Sequence, residues 1–192
     1  MNNGAPHILQ ITPTSYSHDG VIGGGEKIVI YTDQALGAAA QAAGVAMSTS
    51  ILALDGRSEL GGARDRFQAI VGSAWQPRSI DADALISRLR LADVVYVQQC
   101  LTEVGLFAAS HARLLGKAVY GSDAGAGEAT ALKENPDLAR IFDGFHAISE
   151  FAALAYEGLE VPVHVIPGPV DSPSYPPAAP YAKRDRTSVV SL

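Results

Sequence analysis

The chain has 192 residues, of which 47% are apolar and 18% are charged, and this composition excludes a disordered chain. Its formal net charge is −6 without a cluster of lysine and arginine, so we expect no nucleic acid partner. The single cysteine, Cys100, excludes an internal disulfide, and no apolar run is long enough to span a bilayer. The N-terminus carries no signal-peptide apolar region, and we therefore expect a soluble, cytoplasmic protein.

Short apolar segments alternate with helical segments along the chain. The apolar segments mostly lack polar alternation, which is typical of parallel strands buried on both faces. The predicted strands are His7–Thr12, Ala46–Leu54, Phe67–Val71, Asp93–Gln98, Lys117–Ser122, Phe145–Ile148 and Val163–Ile166. The predicted helices are Gly25–Ala43, Asp81–Leu91, Glu103–Leu115, Pro136–Phe142 and Ser149–Glu157. This alternation predicts an α/β fold, Rossmann-like and doubly wound, with a mostly parallel sheet.

The end of the chain differs in composition from the rest. Six of the eleven prolines lie between Pro167 and Pro180, and such density excludes a helix or a central strand and predicts a stiff, extended linker. The predicted organisation is therefore an N-terminal domain over residues 1–170 and a proline-rich linker over residues 171–186. Residues 187–192 resemble the first strand of a further domain that the sequence does not contain, which indicates a fragment.

Three consecutive glycines, Gly23, Gly24 and Gly25, precede Glu26 where the first long helix begins. Glycine permits backbone conformations closed to other residues and lets a ligand approach the main chain closely. A helix that begins there directs unpaired N–H groups, and the positive end of its dipole, at the ligand. We therefore predict phosphate binding at this turn, although the glycines could also serve only as a tight strand-to-helix connection. The dipole alone would favour the Glu26 carboxylate.

Other candidate residues follow the carboxyl ends of predicted strands, beyond which doubly wound sheets bind their ligands. They are Gln98, Gln99, Ser122, Asp123, Ser149 and Glu150. Asp123 could accept a sugar hydroxyl or orient a reacting group, and it is the candidate catalytic residue; the alternative is an ordinary turn aspartate. Ser149 is expected to cap its helix rather than to contact a ligand. No residues have the spacing of metal ligands, so we predict no metal site.

Two phosphate-binding motifs fail at the glycine turn. A P-loop requires Gly-Lys-Ser/Thr, whereas Glu26 interrupts the dipeptide and Ile28 replaces the hydroxyl. The dinucleotide fingerprint Gly-x-Gly-x-x-Gly requires a third glycine in place of Ile28, and it should follow the strand directly. Asp55 nevertheless has the position of a ribose-binding acid. An NAD(P)-dependent oxidoreductase domain therefore remains an alternative.

Four segments carry more specific patterns: GGGEKIVIYTDQAL at the glycine turn, DVVYVQQ, GKAVYGSDAGAG, and FHAISEFAALAYEGLEVPVHVIPGPVD near the end. Together they resemble the N-terminal domain of retaining GT-B glycosyltransferases of family four, from His7 to Leu192. The most specific matches are the Gly-Gly-x-Glu turn and the ending that leads to Asp171. Gly168-Pro169 stands where the family usually has Asn-Gly, so this ending is a variant.

The resemblance implies the N-terminal half of a GT-B fold, in which two Rossmann-like domains face each other across a cleft. This half would hold a glycan, lipid or small-molecule acceptor, with its glycine turn near the diphosphate of a nucleotide-diphosphate sugar. The C-terminal domain of the same protein, the expected partner, would supply the Arg, Lys and paired Glu residues that bind the donor. Asp123 and Ala124 occupy the place where members often carry a His. We therefore expect a glycosyltransferase domain that needs no further cofactor and is inactive alone.

A third hypothesis is a non-catalytic Rossmann module that binds a glycan or a phosphorylated ligand. The sequence has no amphipathic basic helix, and a peripheral membrane contact made by the rest of the protein stays open.

Overall fold

A computed structural model of the protein describes residues 4–13, 24–54, 67–69, 80–123 and 130–167. Seven strands form one parallel sheet in the order β3-β2-β1-β4-β5-β6-β7. The strands are β1 (His7–Thr12), β2 (Ser48–Ala53), β3 (Phe67–Ala69), β4 (Val94–Gln98), β5 (Ala118–Ser122), β6 (Gly144–Ala147) and β7 (Val163–Val165). This confirms the predicted Rossmann-like, doubly wound α/β fold.

Within the described ranges, five α-helices accompany the sheet: α1 (Gly24–Ala43), α2 (Ala82–Leu91), α3 (Glu103–Leu114), α4 (Thr130–Glu134) and α5 (Glu150–Ala153). Side chains cap three of them, α2, α3 and α5. The carboxylate of Asp81 accepts from the Ala84 N–H at 3.0 Å, and the Thr102 hydroxyl accepts from the Gly105 N–H at 3.0 Å. These caps satisfy N–H groups that the first helical turn leaves without a partner.

The structure refines one helix prediction, corrects a second and adds a helix. The short helix predicted at Pro136–Phe142 is the 3-10 helix Pro136–Ile141, and it begins with a proline at its first turn. The predicted helix at Ser149–Glu157 is a single α-helical turn, α5, followed by the 3-10 helix Leu154–Tyr156. Helix α4 was not predicted. These segments span only a few residues each, and so short a segment shows no clear helical periodicity.

The sheet has two differently covered faces. Residues Gln10, Tyr96 and Tyr120 pair across β1, β4 and β5, so their side chains lie on the same face. Helix α1 packs on this face through Val29, which forms a small buried cluster with residues of β2. We call it the α1 face. The main core lies on the opposite face, between the alternate strand residues and the inner sides of α2, α3, α4 and α5.

Among the helices of the described ranges, none combines the length and the apolar character needed to cross a bilayer.

Candidate functional site

The strand order reverses between β1 and β4, because β2 and β3 extend the sheet on one side of β1 and β4 to β7 extend it on the other. Helix connections therefore pass over opposite faces and leave a crevice at the carboxyl ends of these two strands. Backbone hydrogen bonds continue between neighbouring strands up to this edge. The Leu54 N–H donates to the carbonyl of Thr12 at 3.0 Å, and the Cys100 N–H donates to the carbonyl of Ser122 at 3.1 Å.

Buried polar side chains concentrate at this carboxyl edge and just below it, in the middle of β1 and α1. They belong to Gln10, Thr12, Asp33, Gln98, Thr102, Ser122 and Asp123. Amide, hydroxyl and carboxylate groups are rarely buried without a hydrogen-bonding purpose, since desolvating them is unfavourable. Their grouping around the point where the strand order reverses marks the edge as the candidate site. We call these seven residues the switch-point cluster.

Gln10 and Asp33 join β1 to α1 inside this cluster. The Gln10 side-chain amide, Nε2, lies 3.4 Å from Oδ1 of Asp33, a long hydrogen bond between two fully buried groups. The sequence analysis missed both residues. Two signals could have found them: Gln10 is polar within an apolar strand, and Asp33 follows the buried Val29 by one helical turn.

Gln98 and Ser122 lie side by side at the ends of β4 and β5, paired in register on the α1 face. Both are buried, and both retain unused hydrogen-bonding capacity within the described part of the chain. The buried atoms without a protein partner there include Gln10 Oε1, Gln98 Nε2, Gln99 Oε1 and Ser122 Oγ. A buried polar atom without a partner is unfavourable by roughly 1–3 kcal/mol, so these four atoms require a partner beyond the described side chains.

Gln99 has an unusual backbone conformation. Its φ angle is +48°, in the left-handed region that few residues other than glycine adopt. The turn is held by Thr102, whose hydroxyl donates to the Gln99 carbonyl at 2.8 Å while it caps α3. Such strain persists where the surrounding structure enforces it, and it is frequent at functional sites.

Asp123 lies one residue beyond Ser122 and therefore turns toward the opposite face of the sheet. It is buried, as are Cys100 and Tyr156 on that side. Burial raises the pKa of Tyr156, and the nearby Cys100 and Asp123 raise it further. The Tyr156 phenol is thus neutral beside the Asp123 carboxyl. The candidate catalytic residue consequently sits in a buried setting and not on a solvated turn.

Tyr96 and His146 form a polar pair next to Ser122 on the α1 face. The Tyr96 hydroxyl lies 2.6 Å from His146 Nδ1, and His146 Nε2 lies 2.7 Å from the carbonyl oxygen of Ile166. Because a carbonyl oxygen only accepts, Nε2 carries the proton in the neutral ring and Nδ1 accepts from Tyr96. Burial raises the pKa of Tyr96 to about 12, and the side chain of Ser122 opposes this rise. The Tyr96 hydroxyl therefore stays protonated at neutral pH and donates a hydrogen bond to His146.

The remaining predicted residues fall outside the cluster. Ser149 caps α5, with its hydroxyl accepting from the Ala152 N–H at 3.1 Å, as the sequence led us to expect. Glu150 is exposed beside it. Gly24, Gly25 and Glu26 form the first turn of α1, and Gly23 lies outside the described residues.

Helix α1 links two parallel strands, so its first turn begins at the same carboxyl edge as the cluster. In the part of the chain that the structure describes, no three His, Cys, Asp or Glu side chains are grouped as a metal site would require.

Comparisons with known proteins give little beyond the fold. No protein-family model matches the chain, and no curated protein matches it. Among solved structures it is similar to a carbohydrate kinase from Agrobacterium tumefaciens, with a TM-score of 0.43 and 15% sequence identity. That match covers 80% of this chain and 64% of the kinase chain. A similarity of this size transfers nothing about activity.

Proposed function

We propose that this chain is the acceptor-side, N-terminal domain of a retaining glycosyltransferase that takes its sugar from a nucleotide-diphosphate sugar. The observation that carries the proposal is the group of buried polar atoms with unused hydrogen-bonding capacity at the switch point: Gln10 Oε1, Gln98 Nε2 and Ser122 Oγ. A sugar offers several hydroxyls, each both donor and acceptor, and matches a mixed set of amides and hydroxyls better than a purely anionic or apolar ligand does.

The donor's diphosphate has a separate place at the same edge. The first turn of α1 includes Gly24 to Glu26 and begins at the carboxyl end of β1, and the first N–H groups of a helix have no partner within the helix itself. Aligned amides and the helix dipole favour negative charge. During transfer the leaving phosphate gains charge, and amides already in position stabilise it without reorganisation. In this proposal the sugar hydroxyls contact the switch-point cluster while the diphosphate contacts the start of α1.

Asp123 completes the proposed arrangement. Its carboxyl group is buried at the end of β5, beyond Ser122, and it lies close to the neutral phenol of Tyr156. A carboxylate there can accept a hydrogen bond from an acceptor hydroxyl, which orients that hydroxyl toward the sugar. The basic residues that would neutralise the donor belong to the proposed C-terminal domain. We therefore expect no turnover from the 192-residue chain alone.

A titration followed by amide NMR tests the proposal. The 192-residue chain receives UDP-, GDP- and ADP-glucose in turn, each to millimolar concentration. At least one should shift the amides of Gln98, Gln99, Ser122 and Asp123 in a saturable way and leave those of α5 unchanged. Failure of all three sugars to shift these amides contradicts the proposal, as does measurable sugar transfer by this chain. A chain that binds sugar but transfers none when extended by its downstream coding sequence would be a non-catalytic module.

A nicotinamide-dependent oxidoreductase domain is the second candidate. It is favoured by the strand order, which matches that of dinucleotide-binding domains. Asp55, just beyond the end of β2, lies outside the described residues. A saturable rise in NADH fluorescence on adding the chain would support this function. The glycosyltransferase proposal predicts no such rise.

A further inference from the structure

A groove of about 530 Å³ crosses the α1 face and adjoins the switch-point cluster at Tyr96, which pairs in register with Gln10. Its floor is aromatic, with Tyr96, Tyr120, His146 and His164 from four adjacent strands. One wall is α1, through Ala35, Leu36 and Ala39, and the other end is closed by Ile166 and Pro167. We call it the α1-face groove.

The groove exists because half of this face lacks a covering helix. Of the described helices, α1 alone packs here, and α2 to α5 all pack against the core on the opposite face. Tyr120 consequently leaves 37% of its surface exposed, and Ile166 leaves 55% exposed. Parallel sheets are normally covered on both faces, since their strands are apolar on both. Something else should therefore cover β4 to β7.

We propose that the chain's own proline-rich segment, residues 168–180, lies in this groove as a polyproline II helix. The position of the segment is the first argument. Pro167 lines the groove and directly precedes the segment in sequence, so the segment begins at the groove. Residues 1–3 are too few to fill the groove, and each internal stretch outside the described residues is held at both ends by elements of fixed position.

The length of the segment fits. From β7 to β1 the groove crosses four strand spacings, or about 19 Å at roughly 4.8 Å each. It also descends from Ile166, at the carboxyl end of β7, to Ile8 and Val94 near the start of their strands. A polyproline II helix rises about 3.1 Å per residue, so roughly eight residues cover that diagonal. Residues 168–180 exceed this length.

The chemistry of the two surfaces also matches. The segment contains Pro169, Pro173, Pro176, Pro177 and Pro180 and repeats the Pro-x-x-Pro spacing twice. Proline-rich segments of this spacing bind grooves lined by aromatic side chains, because the preformed helix loses little entropy on binding.

A nitroxide attached to the full 192-residue chain through Ser174→Cys tests the proposal. Labelling is selective because Cys100 is fully buried. The informative amide NMR signals are those of Val94 and Ala39, on the side of the groove away from Pro167. A tail that is not docked in the groove would approach them less often. We expect both signals to be lost with the oxidised nitroxide and to return when it is reduced. Amides of α3, on the opposite face, should keep their intensity.

Matched variants make the test specific. Tyr120→Asp places a charge on the groove floor and should restore the Val94 and Ala39 signals. Phe151→Asp changes an aromatic residue that is 80% exposed on α5, and it should leave the signals lost. The triple change Pro173→Gly, Pro176→Gly and Pro177→Gly should restore the signals without touching the sheet, so the test survives even if Tyr120→Asp fails to fold.

Three outcomes overturn the proposal. The first is retention of the Val94 and Ala39 signals in the labelled chain, which would leave the groove to another occupant. The second is loss of the signals from isotope-labelled chain without a nitroxide when it is mixed with nitroxide-labelled chain, which would identify a second copy as the occupant. The third is continued loss of the signals in the folded triple-glycine variant.

Discussion

Gly105 and Gln99 approach each other so closely that no side chain fits between them. A Cβ added to Gly105 would lie 2.5 Å from the Gln99 carbonyl oxygen and 2.9 Å from the Cys100 backbone. Both neighbours are main-chain atoms, and they cannot move aside as a flexible side chain would. The first turn of α3 is thus pressed directly against the strained turn that follows β4, and a glycine in a helix, usually unfavourable, becomes essential.

We therefore expect Gly105→Ala to lower the free energy of unfolding by more than about 2 kcal/mol, as overpacking against backbone does. The matched control is Gly37→Ala in α1, where an added Cβ meets nothing within 4 Å. It should raise the free energy of unfolding by about 0.5–1 kcal/mol, the usual helix preference for alanine. Urea unfolding of the three proteins measures both. Equal stability of Gly105→Ala and wild type would contradict this prediction and show that the backbone of Gln99 and Cys100 shifts at little cost to make room for the Cβ atom.

The backbone of Gln99 gives a second prediction. Its φ of +48° is unfavourable for a residue with a Cβ by roughly 1–2 kcal/mol, and its buried Oε1 has no partner among the described residues. Gln99→Gly should therefore raise the free energy of unfolding by up to about 1 kcal/mol after the greater chain entropy of glycine is subtracted. Gln99→Ala keeps the Cβ and separates the two causes, because only glycine relieves the backbone. If Gln99→Gly proves less stable than Gln99→Ala, backbone strain is absent.

Much of the fold could be predicted from the sequence because its signals are local. The strand at Val94–Gln98 is a continuous apolar run, which indicates a buried parallel strand without any knowledge of its neighbours. The cap at Ser149 follows from its residue type and its position before a helix. Gln98, Ser122 and Asp123 could be placed at the candidate site because the carboxyl ends of parallel strands meet at one edge.

The rest depends on contacts between residues distant in sequence. Gln10 and Asp33 are 23 positions apart, and only the packing of α1 on β1 brings their side chains together. From the sequence alone, Gly105 is a residue of low helix propensity. The structure requires glycine there because the turn at Gln99 leaves no room for a Cβ atom. The α1-face groove could not be predicted either, since the alternation of strands and helices does not say how many helices each face receives. The role predicted for the glycine turn remains a prediction.

Stability at alkaline pH should depend on Tyr96. Burial raises its pKa to about 12 from an ordinary value of 10.0, so the unfolded chain loses this proton at lower pH than the folded chain does. The stabilisation is complete below pH 10 and falls as the pH rises from 10 to 12, at roughly 1.4 kcal/mol per pH unit for this group. Tyr156, whose pKa is also raised, acts in the same direction.

We expect Tyr96→Phe to make this alkaline decline shallower while it lowers stability at pH 7 by about 1 kcal/mol, because His146 Nδ1 loses its donor. Urea unfolding of both proteins at intervals between pH 7 and 12 measures the two effects together. Tyr120→Phe is the control. Because Tyr120 is more than a third exposed, this substitution should change neither the alkaline slope nor the stability at pH 7. An unchanged alkaline slope in Tyr96→Phe would assign the decline to other groups.

Gln98 allows binding to be separated from folding. Its side chain is buried at the end of β4, and Nε2 finds no partner within the described residues. Gln98→Met has nearly the same shape and removes the unsatisfied donor, so the free energy of unfolding should stay the same or rise by up to about 1 kcal/mol. If the amide serves a sugar hydroxyl, the same variant should lose the shifts of the Ser122 and Asp123 amides in the nucleotide-sugar titration.

Ser149→Ala provides the opposite pattern and so completes the test. It removes the cap of α5 and should lower the free energy of unfolding by about 1 kcal/mol, because the Ala152 N–H loses its acceptor. The sugar-induced shifts at Ser122 and Asp123 should survive, since the Ser149 hydroxyl is engaged by its own helix. Two results would contradict a binding site at β4 and β5 and would indicate one nearer β6. One is a stable Gln98→Met protein that still binds the sugar, and the other is a folded Ser149→Ala protein that does not.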